Sequence, residues 1–506
     1  MNLQILSNIN MDSLKYYFKN INIDYYCSYG SYLLDLTDEH SPLYTQKTKF
    51  VFIFIDADEF QEDIDDFIKI VESFIKKTNK IVILNTISFS PLAYIDTFLH
   101  NTLEKELNIN KKLFNLYKKN QNILLFDFTK IVKENTVFDE RFWYLARIKF
   151  NKIGFEKIAS EIETLLYTYK YGSKKVLILD MDNTLWGGII GEEEIELSND
   201  GIGKIYKDFQ YKIKKLKDLG ILLAICSKNN YKDGIKGLKH PNSVLKENDF
   251  IIKKINWQDK ATNIQEISKE LNLGLDSFVF IDDNPVEREY IKTTLPSVEV
   301  PDFPKDIYNL NSWFLQVIKI NFSKLSLTAE DLKKQEQYSA KIKRDSLSKK
   351  IGYDEFLKNL NIKLKFYIDD KRFIQRYAQM TQKTNQFNLT TKRYTIQDIQ
   401  SFIENPKYKV IAIEYQDKFA NEGIIGLVIA IEEKDEVKID TFLLSCRVLK
   451  RKVEDAIFEK LDKMFPKKNI IGIFYPTPKN MQVKDLYEKF GFEKIDENNF
   501  IKRIKK

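Results

Sequence analysis

Two aspartates one residue apart, Asp180 and Asp182, follow an apolar run that begins at Val176, and Thr184 comes next. Such a run is typical of a buried strand in a parallel sheet, and open α/β sheets carry their chemistry at the carboxyl ends of their strands. Carboxylate oxygens at that edge suit a hard cation such as Mg2+. One of the two carboxylates can also attack phosphorus and form an aspartyl-phosphate. The spacing therefore favours phosphoryl-transfer chemistry in the middle of the chain.

Further polar residues come at the ends of later apolar runs and between them: Ser227, Lys260, Asp282, Asp283 and Asn284. Together with the D-x-D-x-T pattern, their order resembles the motif order of the haloacid dehalogenase (HAD) superfamily of phosphotransferases. On the alternative interpretation, Asp282 and Asp283 form a solvated turn and Lys260 is a surface charge. Four motif positions in the family's order favour the functional interpretation, which implies a HAD-like Rossmannoid parallel sheet.

The resemblance implies a role for each motif residue. Asp180 is the expected nucleophile, and it is expected to hold Mg2+ together with Asp282 and the backbone carbonyl of Asp182. Asp182 is also expected to protonate the leaving oxygen and later to activate water. Ser227 and Lys260 are expected to stabilise charge on the phosphoryl oxygens. The residues expected to support the site are Thr184, Asp283 and Asn284.

The composition of the 506-residue chain, with 43% hydrophobic residues, is that of a globular protein. Its length predicts about three domains. The formal net charge of +7 is spread along the chain, which gives no nucleic-acid footprint. The first residues lack the pattern of a signal peptide, and no uncharged apolar stretch approaches membrane-spanning length. We therefore expect a cytoplasmic protein that binds no nucleic acid and does not insert into a membrane.

The first segment, residues 1–172, alternates strand and helix patterns. It contains three predicted buried strands, Phe50–Ile55, Ile81–Leu84 and Ile123–Phe128, which favour a further parallel α/β layer. In large chains of the resembled type this region is SGNH-hydrolase-like, and residues 138–159 look like its closing block. Ser28 and Ser31 are candidate nucleophiles, but that block contains no histidine to act as their base. A structural or docking domain is therefore favoured over an esterase.

The last segment carries strings of its own, KTNQFNLTTKRY at residues 383–394, NEGIIG at 421–426 and LYEKFGFE at 486–493. The last string resembles the final helix-turn-strand of GNAT acyltransferase folds. Together with LWGGIIGE after the first motif, these strings resemble the FkbH-like family, a HAD phosphatase subfamily (IIIC) with a C-terminal GNAT-like domain. Members of that family are linked to loading a glyceryl unit, derived from 1,3-bisphosphoglycerate, onto an acyl carrier protein with release of phosphate. The resemblance thus implies Mg2+, a small phosphorylated substrate and a carrier protein with a phosphopantetheine arm.

Pattern and resemblance together predict an α/β protein of four segments. They are an SGNH-hydrolase-like α/β domain without catalytic function (1–172), a HAD-like phosphatase domain with a minimal cap (173–325), an exposed linking helix (326–350) and a GNAT-like α+β domain (351–506). Thr328 is predicted to cap the linking helix. The minimal cap follows from the loop between the first motif and the helical pattern near Tyr206, which at about twenty residues is too short for an independent domain.

Three residues of the last segment are candidates for an acyl or carrier site: Asn385, Gln386 and Arg447. Asn385 and Gln386 are expected to line a cleft that faces either Asp180 or a phosphopantetheine channel. The alternative is that the Asn and Thr side chains of this stretch build local turns. Where GNAT folds bind the pyrophosphate of CoA, Lys450 and Lys452 replace two glycines and restrict close approach of the backbone. CoA-dependent acetylation is therefore disfavoured, and recognition of a carrier's arm, which lacks the adenine nucleotide, is retained.

Two cysteines bear on acyl transfer, because a thioester on the enzyme can precede transfer to the carrier. Cys226 and Cys446 each end an apolar strand, and cysteine is often buried in such positions. A buried thiol without an activating base is inert, so a structural role is favoured for both. Whether a thioester forms on either of them stays open.

Three functions from different classes follow from these patterns. The favoured one is a Mg2+-dependent HAD phosphatase and glyceryl transferase that acts with an acyl carrier protein. The second is a small-metabolite or sugar-phosphate phosphatase in surface-glycan or natural-product biosynthesis. The third is a non-catalytic scaffold, which is disfavoured because every charged residue of the HAD motif set is present.

Overall fold

The computed structural model describes most of the chain; the stretches outside its described part are residues 97, 135, 326–336, 339, 341–343, 345–352, 446–447, 450 and 505–506. Two predictions fall on these stretches. Nearly all of the predicted linking helix, with its cap Thr328, lies outside the described residues, and so do Cys446, Arg447 and Lys450.

The first compact unit, Met1–Tyr171, is built on a five-stranded sheet in the order β2-β1-β3-β4-β5, in which all neighbours are parallel. Its strands are β1 (Asn2–Ser7), β2 (Asn22–Tyr26), β3 (Phe50–Phe54), β4 (Ile81–Asn85) and β5 (Ile123–Phe126). Its helices are α1 (Tyr32–Thr37), α2 (Pro42–Thr45), α3 (Ile64–Thr78), α4 (Asn101–Lys119), α5 (Phe128–Glu134), α6 (Glu140–Ala146) and α7 (Lys152–Tyr171). Apolar strands such as β4 are buried along their whole length, which requires helices on both faces of the sheet.

The second compact unit, Gly172–Lys506, begins with a four-stranded parallel sheet in the order β8-β7-β6-β9. Its strands are β6 (Val176–Leu179), β7 (Leu222–Ser227), β8 (Ile252–Ile255) and β9 (Phe278–Ile281). Its helices are α8 (Gly201–Asp218), α9 (Tyr231–Leu238), α10 (Lys260–Leu271), α11 (Pro285–Thr294) and α12 (Leu310–Phe322). The central strand β6 and its neighbours β7 and β9 are buried throughout, so this sheet is rigid where its strands end.

A seven-stranded mixed sheet follows in the same unit, in the order β10-β11-β12-β13-β14-β16-β15. Its strands are β10 (Lys363–Ile368), β11 (Tyr408–Gln416), β12 (Asn421–Glu432), β13 (Glu436–Leu444), β14 (Asn469–Ile473), β15 (Glu493–Lys494) and β16 (Asn499–Lys502). Its helices are α13 (Tyr353–Leu360), α14 (Ile374–Lys383), α15 (Ile396–Glu404), α16 (Val453–Met464) and α17 (Leu486–Lys489). All neighbours are antiparallel except β13 and β14, which makes this an α+β domain.

The parallel pair β13 and β14 diverges after a short stretch of pairing, which runs from Glu436 to Ile439 on β13. Beyond it, the chain's own segment 387–389 lies between the two strands. The amide of Leu389 donates to the carbonyl of Phe442 at 3.0 Å, and the amide of Tyr475 donates to the carbonyl of Leu389 at 2.8 Å. Backbone groups that diverging strands would leave without partners are satisfied in this way.

These three sheets confirm the predicted fold class. In sequence order, the α/β chain has a first domain with a five-stranded parallel sheet, a second domain with a four-stranded parallel sheet (the central sheet) and a third, α+β domain.

Candidate active site

The parallel strands of the central sheet bring the predicted motif residues to one edge. β6 ends next to Asp180, β7 ends at Ser227 and β9 ends next to Asp282. The backbone locks this arrangement, since the amide of Asp180 donates to the carbonyl of Ile281 at 3.0 Å. Carboxylate oxygens of Asp180, Asp282 and Asp283 lie within 4.8 Å of one another. The sequence pattern therefore predicted a real spatial cluster.

Lys260 is the cation of this cluster. It is the first residue of α10, whose N-cap Asp259 accepts a hydrogen bond from the amide of Thr262. Its ammonium group lies 3.1 Å from Oδ2 of Asp180 and 2.5 Å from Oδ2 of Asp282, and its side chain is 3% exposed. Burial lowers the pKa of Lys260, but the two carboxylates raise it further, so the net shift is upward. Lys260 is therefore a fixed positive charge between two buried aspartates.

The carboxylates fit a divalent cation. Oδ1 of Asp180 is buried and accepts no hydrogen bond within the part of the chain that the structure describes. The pKa of Asp282 is raised, first by burial and then by Asp180, and Lys260 only partly offsets this. The pKa of Asp283 is raised by the same two causes. Three carboxylates with one lysine thus leave excess negative charge and a bare oxygen, which is the donor set that Mg2+ takes.

The cluster differs in one member from the predicted ligand set. Asp283, which was expected only to support the site, offers a carboxylate oxygen to it. Asp182 is predicted to contact the metal through its backbone carbonyl, and its side-chain carboxylate is not among the three grouped carboxylates.

The carboxylate of Asp182 is held by three donors. Its Oδ1 accepts hydrogen bonds from the indole of Trp186 at 2.8 Å and from the amide of Ile190 at 3.1 Å. Its Oδ2 accepts one from the side-chain amide of Asn229 at 2.8 Å. Burial nevertheless raises the pKa of Asp182. A carboxyl group that is fixed in place and shifted toward its protonated form suits an acid and base.

Sequence reasoning missed Trp186 and Asn229. The only local signals were the spacing of Trp186, four residues after Asp182, and that of Asn229, two residues after Ser227. A third residue that it missed is Arg288, whose guanidinium donates to the carbonyls of Asp282 at 2.9 Å and Asp283 at 2.6 Å.

Predicted supporting residues brace the acidic turn after β9. The hydroxyl of Thr184 donates to Oδ1 of Asp283 at 3.2 Å, and the amide of Asp283 donates back to that hydroxyl at 3.2 Å. The amide of Asn284 donates to Oδ1 of Asp282 at 2.9 Å, and its side chain caps α11 by accepting from Val286. These bonds fix the turn between the strand and the helix, and with it the carboxylates.

Ser227 and Cys226 end β7 next to this cluster. Ser227 is 2% exposed, whereas Cys226 is fully buried and its thiol donates to the carbonyl of Lys260 at 3.7 Å. Burial raises the pKa of the Cys226 thiol, which keeps it protonated. The buried, inert interpretation of Cys226 therefore agrees with its surroundings.

The segment between β6 and α8 is a small flap. Gly187 and Glu196 exchange backbone hydrogen bonds of 3.2 and 2.8 Å, and Gly188 has a positive φ of 83°. A side chain at Gly187 would come within 3.0 Å of Cβ of Glu196 and of the ring of Tyr206, so this crossing favours glycine. The described residues 183–200 contain turns and isolated bridges and no independent cap domain.

The predicted C-terminal site residues Asn385 and Gln386 line a cavity of about 350 Å³. Four basic residues and one acidic residue stand among its lining: Lys175, Arg376, Lys383, Lys479 and Asp276. Lys479 bonds to Asp276 at 2.5 Å. Oε1 of Gln386 is buried and accepts no hydrogen bond from any described residue. The cavity therefore presents positive charge and one bare acceptor.

This cavity does not face Asp180. Its walls include Lys175 and Ser277, the residues that precede β6 and β9, whereas Asp180 and Asp282 follow those strands. Four-residue strands at about 3.3 Å per residue separate the two edges by about 13 Å. Of the two alternatives predicted for Asn385 and Gln386, a cleft that faces Asp180 is excluded, because they lie at the opposite edge of the sheet. The alternative of a phosphopantetheine channel stays a prediction.

The start of α16 is where the resemblance places a pyrophosphate site. Lys452, its N-cap, has a φ of 54°, so a lysine adopts the left-handed conformation in which glycine is common. The first turn carries Glu454 and Asp455. Oε2 of Glu454 is buried and has no partner among the described residues, and burial raises the pKa of this group. Acidic side chains at the helix start oppose a bound anion.

The side chain of Ser31, one of the two candidate nucleophiles of the first compact unit, is held by local hydrogen bonds. The hydroxyl of Ser31 donates to the carbonyl of Ser28 at 2.9 Å and to Asp35 at 3.1 Å. In the block that resembles the SGNH closing block, Lys149 is 7% exposed and pairs with Asp56 at 2.6 Å and Asp58 at 2.7 Å. A lysine held between two carboxylates is no general base, which agrees with the non-esterase interpretation.

The chain is similar to a solved phosphatase-domain structure. No family model matches the chain. The N-terminal part of protein BF1531 from Bacteroides fragilis, which contains a phosphatase domain and was crystallised in complex with Mg, is similar. The two chains are 26% identical, with a TM-score of 0.57. The match covers 64% of this chain and 95% of the Bacteroides fragilis chain.

Other likenesses are weak. The ribosomal-protein-S18-alanine N-acetyltransferase of Escherichia coli is 12% identical with a TM-score of 0.22, over 28% of this chain and 91% of its own. PseH of Campylobacter jejuni, solved with acetyl coenzyme A, is 13% identical with a TM-score of 0.20, over 28% of this chain and 96% of its own. Protein Ycf2 of Marchantia polymorpha is 22% identical over 403 residues, and the chain spans only 18% of its length. Among the described residues, no helix is long and apolar enough to cross a membrane.

Proposed function

We propose that this chain is a Mg2+-dependent phosphatase and glyceryl transferase of the FkbH-like type. It removes phosphate from a small phosphorylated acid such as 1,3-bisphosphoglycerate and loads the glyceryl unit onto an acyl carrier protein. The observation that carries the proposal is the cluster of Asp180, Asp282 and Asp283 around Lys260, with one carboxylate oxygen left bare. The likeness to a phosphatase domain crystallised with Mg supports it.

The phosphatase step uses two carboxyl groups. Asp180 attacks phosphorus, the ester P–O bond breaks, and the leaving oxygen takes a proton from Asp182. Water that gives its proton to Asp182 then cleaves the aspartyl-phosphate, which releases phosphate and restores Asp180. Lys260 and Ser227 stabilise the charge on the phosphoryl oxygens. Mg2+ held by Asp180, Asp282 and Asp283 would screen the repulsion between the anionic nucleophile and the anionic substrate.

The position of Asp182 supports its proposed part in this chemistry. Trp186 and Asn229 fix its carboxyl group, while burial raises its pKa. A raised pKa keeps a proton available for the leaving oxygen, and the same group accepts a proton from water in the second step.

The transfer step joins a thiol to an acyl group. The carrier's thiol attacks the carbonyl carbon of the acyl phosphate, the S–C bond forms, the C–O bond to phosphate breaks, and the thiol proton leaves with the phosphate. The cavity supports binding of a phosphopantetheine arm. Its basic lining residues, such as Lys175, attract the arm's phosphate, and Gln386 offers a bare acceptor to the arm's amides. Glu454 and Asp455 at the start of α16 count against the larger CoA nucleotide.

A metabolite- or sugar-phosphate phosphatase without a carrier is the second candidate. The separation of the two sites favours it, because the carboxylate cluster lies at its own edge of the sheet and, among the described residues, contains no carboxylate from the C-terminal domain. A non-catalytic scaffold is disfavoured by the same complete cluster.

Mass spectrometry of a holo acyl carrier protein tests the proposal. The carrier is incubated with the full chain, Mg2+ and 1,3-bisphosphoglycerate, and we expect a glyceryl adduct on the carrier together with released phosphate. The Asp180→Asn variant is the matched control and should leave the phosphate ester intact. Phosphate release without any adduct on the carrier would support the second candidate instead.

A further inference from the structure

Six exposed apolar side chains follow one another in the loop before α4 and along α4, and we call them the apolar ridge: Ile95, Phe98, Leu99, Leu103, Leu107 and Phe114. Ile95 and Phe98 are 86% and 89% exposed. At 3.6 residues per turn, Leu103, Leu107 and Phe114 share one face of α4, away from the face that the core buries. Large apolar rows of this kind mark surfaces that bind another molecule.

The loop part of the ridge is held in place. Asp96 accepts hydrogen bonds from the amide of Thr102 at 2.7 Å and, through its carbonyl, from the amide of Leu99 at 2.8 Å. The phenol of Tyr94 donates to Glu106 of α4 at 3.2 Å. A preformed surface loses little conformational freedom on binding, which favours affinity.

The charges beside the ridge indicate the partner. α4 carries five lysines and two glutamates. Lys111 and Lys118 flank the apolar face, and neither forms an ion pair with another described residue. The ammonium group of Lys118 lies 4.5 Å from the ring centre of Phe114, so positive charge borders the apolar surface directly.

These charges separate three kinds of occupant. A second copy of the chain would bring the lysines of one α4 against those of the other, which is repulsive. An anionic bilayer carries negative charge over its whole surface, so it would repel Asp96 and Glu104 while it attracts the lysines. A folded acidic protein can place its carboxylates at Lys111 and Lys118 and its apolar side chains on the ridge.

We propose that the apolar ridge is the docking surface for an acyl carrier protein that presents carboxylates around an apolar contact surface. The inference rests on the proposed function, which requires such a carrier. The apolar side chains supply the affinity, and Lys111 and Lys118 supply attraction and orientation. The first compact unit is thus a docking domain.

Binding of a holo acyl carrier protein to the full chain tests the ridge. Replacing Leu103→Asp together with Leu107→Asp should weaken binding in calorimetry at least about tenfold, which is about 1.4 kcal/mol. Loading of the carrier below saturation should fall in proportion, while hydrolysis of p-nitrophenyl phosphate stays unchanged. Leu34→Asp is the matched control, since Leu34 is a leucine of α1 that is 66% exposed, and it should bind the carrier normally.

A charge-reversal arm tests the lysines without touching the apolar side chains. Lys111→Glu with Lys118→Glu should weaken binding and flatten its dependence on salt, while Lys111→Arg with Lys118→Arg should keep both. These substitutions lie on an exposed helix face, and circular dichroism checks that the fold is kept.

Several outcomes would overturn the ridge proposal. Normal carrier binding by the Leu103→Asp, Leu107→Asp variant would do so while leaving the proposed function intact. Loss of a wild-type dimer in that variant by sedimentation would assign the ridge to a second copy. Loss of its binding to vesicles of phosphatidylcholine and phosphatidylglycerol would assign it to a membrane. A wild-type chain that releases phosphate but binds no carrier would refute both the docking and the carrier part of the function.

Discussion

The carboxyl edges of the two parallel sheets carry the same buried group, a lysine that bridges two aspartates. In the central sheet, Lys260 lies between Asp180 and Asp282. In the first compact unit, Lys149 lies between Asp56 and Asp58. Each group also has one carboxylate oxygen that accepts no hydrogen bond from the described residues, on Asp180 and on Asp56.

The surroundings of the two groups differ. A third carboxylate, Asp283, joins the central group, and this is the single three-carboxylate group among the described residues. At the other edge the aromatic rings of Trp143 and Phe138 stand 5.5 and 5.8 Å from the ammonium group of Lys149. The comparison teaches that a buried ion pair is not by itself a site. Excess carboxylate and a neighbouring acid, which Asp182 supplies, turn one of them into a candidate centre.

The largest difference between the two groups is expected when one aspartate of each is neutralised. Asp180→Asn should lower phosphate release at least about 1000-fold, because an amide neither attacks phosphorus nor holds Mg2+ well. Asp56→Asn should leave phosphate release within about twofold of wild type. A malachite green assay with the phosphorylated acid measures both. Normal release by Asp180→Asn would remove the HAD assignment.

Replacing each lysine should separate catalysis from stability. Lys260→Met should lower phosphate release roughly 100- to 1000-fold through loss of charge stabilisation. Lys149→Met should leave release unchanged, but it strands buried carboxylates and should lower local stability by about 3 kcal/mol. Hydrogen-exchange mass spectrometry of peptides that cover β1 and β3 measures that stability. Equal losses of activity in the two variants would mean that the edges are not functionally different.

The pH dependence of local stability should sharpen the contrast. Burial raises the pKa of Asp56 from 3.8 to about 6, and Lys149 only partly offsets it. Because the folded protein binds this proton more tightly than the unfolded chain does, protonation of Asp56 stabilises the fold. This stabilisation is fully present below the pKa of the unfolded chain, 3.8, and is lost as pH rises through about 6. Going from pH 7 to pH 4 should therefore raise the opening free energy of β3 by roughly 2 kcal/mol relative to Asp56→Asn. Parallel pH profiles of the two proteins in hydrogen exchange would contradict this.

The smallest expected effect concerns the cavity at the amino edge of the central sheet. Asn385→Ala should lower carrier loading by about fivefold, the size of one hydrogen bond, and leave hydrolysis of a small phosphate ester intact. Loading followed by mass spectrometry and hydrolysis followed by phosphate assay give the two values. Equal loss of both activities, or of neither, would count against two separate sites in this unit.

The motif residues at the carboxyl edge of the central sheet could be predicted from the sequence. Apolar runs that end in Asp180, Ser227 and Asp282 predict parallel strands, and the carboxyl ends of parallel strands meet. Lys260 was identified because it lies between the apolar runs that end at Ser227 and Asp282, in the family's motif order. Local pattern was sufficient here, since each residue takes its position from the strand or helix that it borders.

The long-range partners of these residues could be found only from the tertiary structure. Asn229 holds Asp182 across 47 residues of sequence, and Lys149 meets Asp56 across 93. No periodicity or motif records such partners, because they depend on how separate elements pack. For the same reason the sequence could not decide whether Asn385 faces Asp180. Strand direction fixes which residues can meet Asp180, and the packing of the C-terminal domain against the amino edge fixes where Asn385 lies.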